Sequence, residues 1–169
     1  MRPGVRLGID FGSVRVGVAR SDPHAILATP LATVPGDSDV VAAVVALIEE
    51  EAAFEVIVGD PVSLSGTPRA AAAAAREFAA ALQQAWPQGQ VRLVDERLTT
   101  VTSSAQLREA GRNTRKSRNV IDQASAVTIL QNALDTEKRT GRPPGTPVTR
   151  IERPQEARMS DAGDIRRDQ

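Results

Sequence analysis

Three acidic residues stand where a regular element of this chain should begin or end. Asp10 closes the apolar run Val5-Arg6-Leu7-Gly8-Ile9 and leads into Phe11-Gly12-Ser13. Glu96 follows Val91-Arg92-Leu93-Val94-Asp95, and Asp122 opens a stretch that turns apolar at Ala124, Ala126, Val127, Ile129 and Leu130. Carboxylates at such ends can converge in space although they are far apart in sequence. Converging carboxylates bind hard cations such as Mg²⁺ or Mn²⁺, and those ions support phosphoryl-transfer chemistry.

Each acid alone also has a plainer reading. An Asp before Phe-Gly-Ser is a common turn former, although Gly8 and Gly12 leave the backbone open to close approach by a phosphate or an ion. The same Asp-x-Gly pattern serves a nucleotide phosphate in actin-like ATPases. Adjacent strand residues point to opposite faces, so Asp95 and Glu96 cannot both aim at one ion unless the strand has ended. The functional reading gives Glu96 to the ion and leaves Asp95 supporting. An acid in the first turn of a helix is favoured by the dipole, so Asp122 needs no catalytic reason to be there. Ahead of it, Arg112, Arg115, Lys116 and Arg118 form a basic loop, which is either solvated or suited to a phosphate backbone. His24, the sole histidine, follows a turn-like Ser-Asp-Pro and suits no catalytic role well.

The elements that must position these residues follow from periodicity. Val5–Asp10 and Val14–Arg20 read as a hairpin. Ile26–Val34 reads as a third strand that Pro30 demotes to an edge or a bulge. Asp37 or Ser38 should cap a helix through Glu51, with Val40, Val41, Val44, Val45 and Ile48 on one face. Glu55–Gly59 is a short buried strand, followed by a loop from Asp60 to Gly66. An Ala-rich helix spans Pro68 to Trp86, Val91–Asp95 is the last strand, Thr99 to Ala110 is helical, Gly111–Asn119 is a loop, and Val120–Lys138 is the final helix. The fold class is α/β: a mixed five-stranded sheet, antiparallel over its first three strands and then parallel, with helices on both faces. Residues 1–138 form one domain, and residues 139–169, rich in Pro, Gly, Arg and Asp, read as a disordered polar tail.

Composition bounds the rest. The 169 residues suffice for one domain with a real core. Without cysteine there is no disulfide, zinc-thiolate site or thiol catalysis. No apolar stretch approaches the roughly 18 residues of a membrane span, and no signal-peptide pattern opens the chain, so a cytoplasmic location is expected. Formal net charge is zero, which makes any attraction to nucleic acid a local matter. With 2% aromatic residues, base stacking is a poor candidate for the main mode of recognition.

Taken together the motifs resemble the YqgF family of bacterial proteins, RNase H-like nucleases related to the RuvC resolvases. The resemblance lies in Gly8 to Asp22, in Val58-Gly59-Asp60-Pro61 through Gly66, in Asp95-Glu96-Arg97-Leu98-Thr99-Thr100, and in Ile121 to Leu130. The family pattern resembles Gly-Leu-Pro where this chain has Gly59-Asp60-Pro61, which adds a carboxylate, Asp60, near the site. The resemblance implies an RNase H-like fold and a nuclease dependent on Mg²⁺ or Mn²⁺, with Asp10, Glu96 and Asp122 as catalytic acids. Asp10 would bridge two ions, with Glu96 and Asp122 on either side, and Asp95 and Asp60 as further carboxylates. Arg15, Arg97, Arg112, Arg115, Lys116 and Arg118 would contact the nucleic-acid backbone. The implied substrate is the 5′ end of precursor 16S rRNA, or alternatively a Holliday junction, handled by a monomer or a homodimer. Rival classes are an actin-like nucleotide-binding module, for which one such domain is too short, and a non-catalytic RNA-binding factor, which gains nothing from clustered negative charge.

Overall fold

The computed structural model describes residues 1–61, 69–96 and 116–149, with the side chains of 116–119 excepted. A six-stranded sheet in the order β3-β2-β1-β4-β5-β6 carries helices on both faces. Strands β1 (Arg6–Phe11), β2 (Arg15–Ser21) and β3 (Ala28–Pro35) form the antiparallel meander. Strands β4 (Glu55–Asp60) and β5 (Gln90–Asp95) then join β1 in parallel. Pro30 lies in the edge strand β3, where the register shifts between Val18 and Ala19, the place a residue without an N–H is tolerated.

The period-2 alternation of the strands sorts the core onto two faces. Leu7, Ile9, Val16, Val18, Val56 and Val58 bury against α1 (Val40–Glu51) and α2 (Arg69–Ala85). Phe11 stacks on Phe78 of α2 with ring centroids 4.6 Å apart, which secures the end of β1 on that face. The intervening residues, among them Gly8, Ala19 and Ile57, face α3 (Lys116–Thr140) and its buried Ala126, Ile129, Leu130, Ala133 and Leu134.

Four features differ from the sequence expectation. There are six strands rather than five. The sixth, β6 (Thr146–Pro147), pairs antiparallel with β5, and Val148 packs on the core, so the start of the polar segment expected to be disordered from 139 is placed against the sheet. The open edge of β5 has unpaired backbone groups that this segment satisfies, a gain that composition does not reveal. Asp39, not Asp37 or Ser38, caps α1, accepting from the Ala42 N–H at 3.1 Å. Finally, α3 begins at Lys116, so 116–119 are helical rather than loop, and Asp122 sits in the second turn instead of the first. The expected helix over 99–110 and the expected loop over 62–66 lie outside the described residues.

The end of α3 remote from the three acids is held by ionic contacts in the interior. Arg6, Glu55 and Glu137 are buried. Arg6 donates to Glu55 Oε1 at 3.3 Å and to Glu137 Oε2 at 3.1 Å, and Arg2 donates to the same two carboxylates at 2.8–3.0 Å. Both guanidinium groups lie over the Phe54 ring, 5.4 and 4.7 Å from its centroid. Two cations and two anions leave the cluster neutral, and saturated hydrogen bonding offsets the cost of burying them.

Close helix–sheet contact is the tightest constraint on this face. A Cβ added at Gly8 would lie 2.6 Å from Leu130 Cβ and 2.9 Å from the Ala126 carbonyl. Gly8→Ala is therefore expected to lower the free energy of unfolding by about 1–3 kcal/mol, the usual range for overpacking. Chemical denaturation should show a lower midpoint with an unchanged slope.

Candidate active site

The three acids meet at one edge of the α3 face. Asp10 shares its side of β1 with Gly8 and pairs across to Gly17 of β2. A Cβ at Gly17 would collide with the backbone carbonyl of Asp122, so α3 rests on bare backbone there. Asp122 is thereby brought to the neighbourhood of Asp10. On the other side of β1, Glu96 directly follows β5 and folds its carboxylate over Gly59 of β4, where a Cβ would strike its Oε1 and would also lie 2.7 Å from Ile129 Cδ1. Glycines on β2 and β4 thus flank Asp10 and make room for the two partners.

The electrostatics record how close the acids lie. Burial pushes the Asp10 carboxyl up to about 6, and the Asp122 charge adds to the rise, while a hydrogen bond from the Ser125 hydroxyl opposes it. Burial likewise pushes Glu96 up to about 7, reinforced by Asp10, Asp60 and Asp95. Acids that are buried and also repel one another make a place where positive charge is favoured. Among the described residues, no three acidic or histidine side chains already close into a metal cage. Asp122 is turned to Arg15, whose Nε donates to its Oδ2 at 2.8 Å.

The other predicted residues are dispersed around this group. Asp95 ends β5 in register with Asp60 at the end of β4, so the extra carboxylate does lie beside Glu96. It comes with a counter-charge: Arg76 of α2 donates to Asp60 Oδ2 at 3.1 and 3.2 Å. Arg97, Arg112 and Arg115 lie outside the described residues, and the backbone of Lys116 and Arg118 opens α3. Two contributors escaped the sequence reading. Ser125 stands one helical turn beyond Asp122, a spacing that puts both on one face and could have flagged it. Arg76 lies in an Ala-rich helix with no local signal.

The donor set is chemically uniform. It offers carboxylate oxygens, no sulfur and no imidazole, which suits Mg²⁺ or Mn²⁺ over softer ions, and a cation would relieve the repulsion between Asp10, Asp122 and Glu96.

Strand order, the antiparallel-then-parallel sheet and the helix crossing its acidic edge define an RNase H-like fold of the RuvC kind. The structure of Thermus thermophilus RuvC in complex with a Holliday junction substrate superposes with a TM-score of 0.56 at 17% identity, covering 86% of this chain and 99% of that one. A second Thermus thermophilus RuvC structure gives 0.53 at 15% identity, covering 85% and 99%. The chain belongs to the RuvX family, whose model, described as "RuvX: Holliday junction resolvase", matches residues 4–136; it is a nuclease by family. Among its relatives, a candidate pre-16S rRNA nuclease of Thermobifida fusca is 56% identical over 155 residues, covering 86% of this chain and 96% of that protein. A protein of the same description from Streptomyces coelicolor is 52% identical over 151 residues, covering 88% and 90%.

The raised acids make a prediction about stability. An acid whose folded value lies above its unfolded value opposes folding once ionised. The penalty is absent below about pH 4, where both states are protonated, and is complete above the folded value near 6. Asp10→Asn should therefore be more stable than the wild type in metal-free buffer at pH 8, by about 1–2 kcal/mol after allowance for partial exposure. The difference should vanish toward pH 4 in thermal melts. Equal stabilities at pH 8 would contradict the raised Asp10 carboxyl, whose main cause is burial and whose second is the Asp122 charge.

Proposed function

We propose that this protein is a divalent-cation-dependent endonuclease that processes the 5′ end of precursor 16S rRNA, with Asp10, Glu96 and Asp122 as its catalytic ligands. The observation that carries the reading is the placement of the Asp122 backbone on Gly17 and of the Glu96 carboxylate over Gly59, on the two strands that flank Asp10. The substrate assignment is supported by the relatives, which share about half of their residues with this chain and are described as candidate pre-16S rRNA nucleases.

Asp10, Glu96 and Asp122 would hold the cations, with Asp10 between the other two. The chemistry that Mg²⁺ or Mn²⁺ would supply when bound is activation of water and stabilisation of the charge on the leaving oxygen of the phosphodiester. Glu96, pushed up to about 7, carries a proton part of the time at neutral pH, and cation binding would release it. Ser125 orients Asp10 through its hydroxyl. Asp95 and Asp60 add negative charge beside Glu96, and Arg76 compensates that of Asp60. Arg15, Arg97, Arg112, Arg115, Lys116 and Arg118 would hold the phosphate backbone.

The second reading, resolution of four-way DNA, is favoured by the family description and by a RuvC structure that holds a junction. Its structural likeness is at 17% identity and speaks for the fold alone. Labelled precursor rRNA leader and labelled four-way junction, incubated side by side with Mg²⁺, Mn²⁺ or EDTA, separate the two. We expect cleavage of the rRNA leader with either metal and none with EDTA. Asp10→Asn should lower the rate on the order of 10³-fold or more without loss of folding. Cleavage in EDTA, or wild-type cleavage by Asp10→Asn, would rule the mechanism out. Selective cleavage of the junction would transfer the assignment to the second reading.

A further inference from the structure

Arg15 stands at the border of two environments. Its Nε holds Asp122 Oδ2 at 2.8 Å, with the two side chains 29% and 23% exposed. It also lines a groove of about 590 Å³ together with Ser13, Thr33, Gly36 and Asp37, formed where the β1–β2 turn meets the end of β3. We infer that Arg15 is an exchangeable counter-ion: its guanidinium holds Asp122 until a divalent cation binds, and is then freed into the groove to meet a phosphate of the substrate strand. The inference rests on the reading of Asp10, Glu96 and Asp122 as cation ligands.

Three features separate this contact from a permanent brace. Solvent reaches both partners, so water can replace the ion pair at small cost. The buried Arg6, by contrast, donates to Glu55, Glu137 and the Arg2 carbonyl, and cannot leave without stranding charge. The backbone of Asp122 is located independently of Arg15, by its contact with the bare backbone of Gly17. Exchange therefore asks only for side-chain rotation and leaves α3 in place. The groove provides the destination, since Arg15 forms part of its wall and the neighbouring Ser13 and Thr33 carry hydroxyls. An arginine fork matches phosphate oxygens as well as it matches a carboxylate.

The guanidinium and a cation both draw on the one negative charge of Asp122, so each weakens the hold of the other and the two compete. Mg²⁺ titrated calorimetrically into the full-length protein should bind Arg15→Gln roughly three- to tenfold more tightly than the wild type, the range expected on removing a partly exposed competing ion pair. Loss of a positive charge anywhere nearby also favours a cation, so Arg76→Gln is the control. It removes a charge paired to Asp60 and should change affinity less than about twofold, because that pair blocks no catalytic ligand. In the wild type, the Arg15 Nε–H resonance in ¹⁵N-resolved NMR should shift as Mg²⁺ saturates, a readout that depends on no variant folding. An unchanged or weakened affinity in Arg15→Gln, an equal gain in Arg76→Gln, or an unmoved Nε–H resonance at saturation overturns the exchange. Asp10→Asn separates the two levels of inference: if it binds Mg²⁺ like the wild type, the cation reading itself fails. If it has lost binding while Arg15→Gln is unchanged, only the exchange fails.

Discussion

Everything at the acidic edge depends on how closely α3 can lie against the sheet. A helix packed on ordinary strand residues stands off by the depth of two side-chain layers, near 10 Å. Here the facing strand positions are Gly8, Gly17 and Gly59, and each lacks the Cβ that would hold the helix or the Glu96 carboxylate away. The helix answers with small residues, Ser125 and Ala126, at the point of approach. That intimacy is why the Ser125 hydroxyl can donate to Asp10, and why the Asp122 charge reaches it. A glycine-bare sheet is locally weak, since glycine contributes no packing and loses more backbone entropy on folding. The stability must come from elsewhere along the same helix.

It comes from the far end. Ile129, Leu130, Ala133 and Leu134 bury against Ala19, Ile57 and their neighbours, and beyond them Glu137 enters the neutral cluster with Arg2, Arg6 and Glu55. The two ends of α3 therefore treat charge in opposite ways. At Glu137 each carboxylate has two guanidinium partners and the ions are satisfied. At Asp10 and Glu96, burial first and neighbouring acids second push the carboxyls up to about 6 and 7. A fold under selection for stability alone would not leave like charges half-buried together, and such local conflict is expected at functional sites.

Much of this was legible in the residues. The hairpin, the edge position of Pro30 and the parallel strands followed from alternation and punctuation, because each is a local pattern with a single period. The motifs around Asp10, Glu96 and Asp122 pointed to the family that the whole-chain comparison then showed. What escaped has a common cause: it depends on pairing between distant segments. β6 exists because β5 offers an open edge, and no periodicity of Thr146–Pro147 announces it. The start of α3 at Lys116 lies in a polar stretch whose helical state is set by continuity with the buried turns after it. Gly8 was read as leaving the backbone open to a phosphate or an ion, and Gly17 and Gly59 only as members of strands and motifs, whereas all three serve as places of contact for α3 or the Glu96 carboxylate. Arg76 could be recognised only once α2 was known to pass Asp60.

The zero net charge of the chain bears on the order of events at the site. A phosphodiester approaching Asp10, Glu96, Asp60 and Asp95 meets negative charge, and no long-range field of the protein overrides it. The positive charge of Arg15 is offset by Asp122 while its Nε is committed there. Whatever the basic residues ahead of α3 contribute to holding a strand, the reacting phosphate meets repulsion at the acids themselves until that charge is neutralised. Cation binding changes both terms together, since it cancels the carboxylates and releases a guanidinium into the groove beside them. The two events reinforce each other, and by linkage a bound strand must strengthen cation binding by the same factor. In a nuclease built in this way the cation that serves the reaction also makes the acidic edge approachable for the phosphate it acts on.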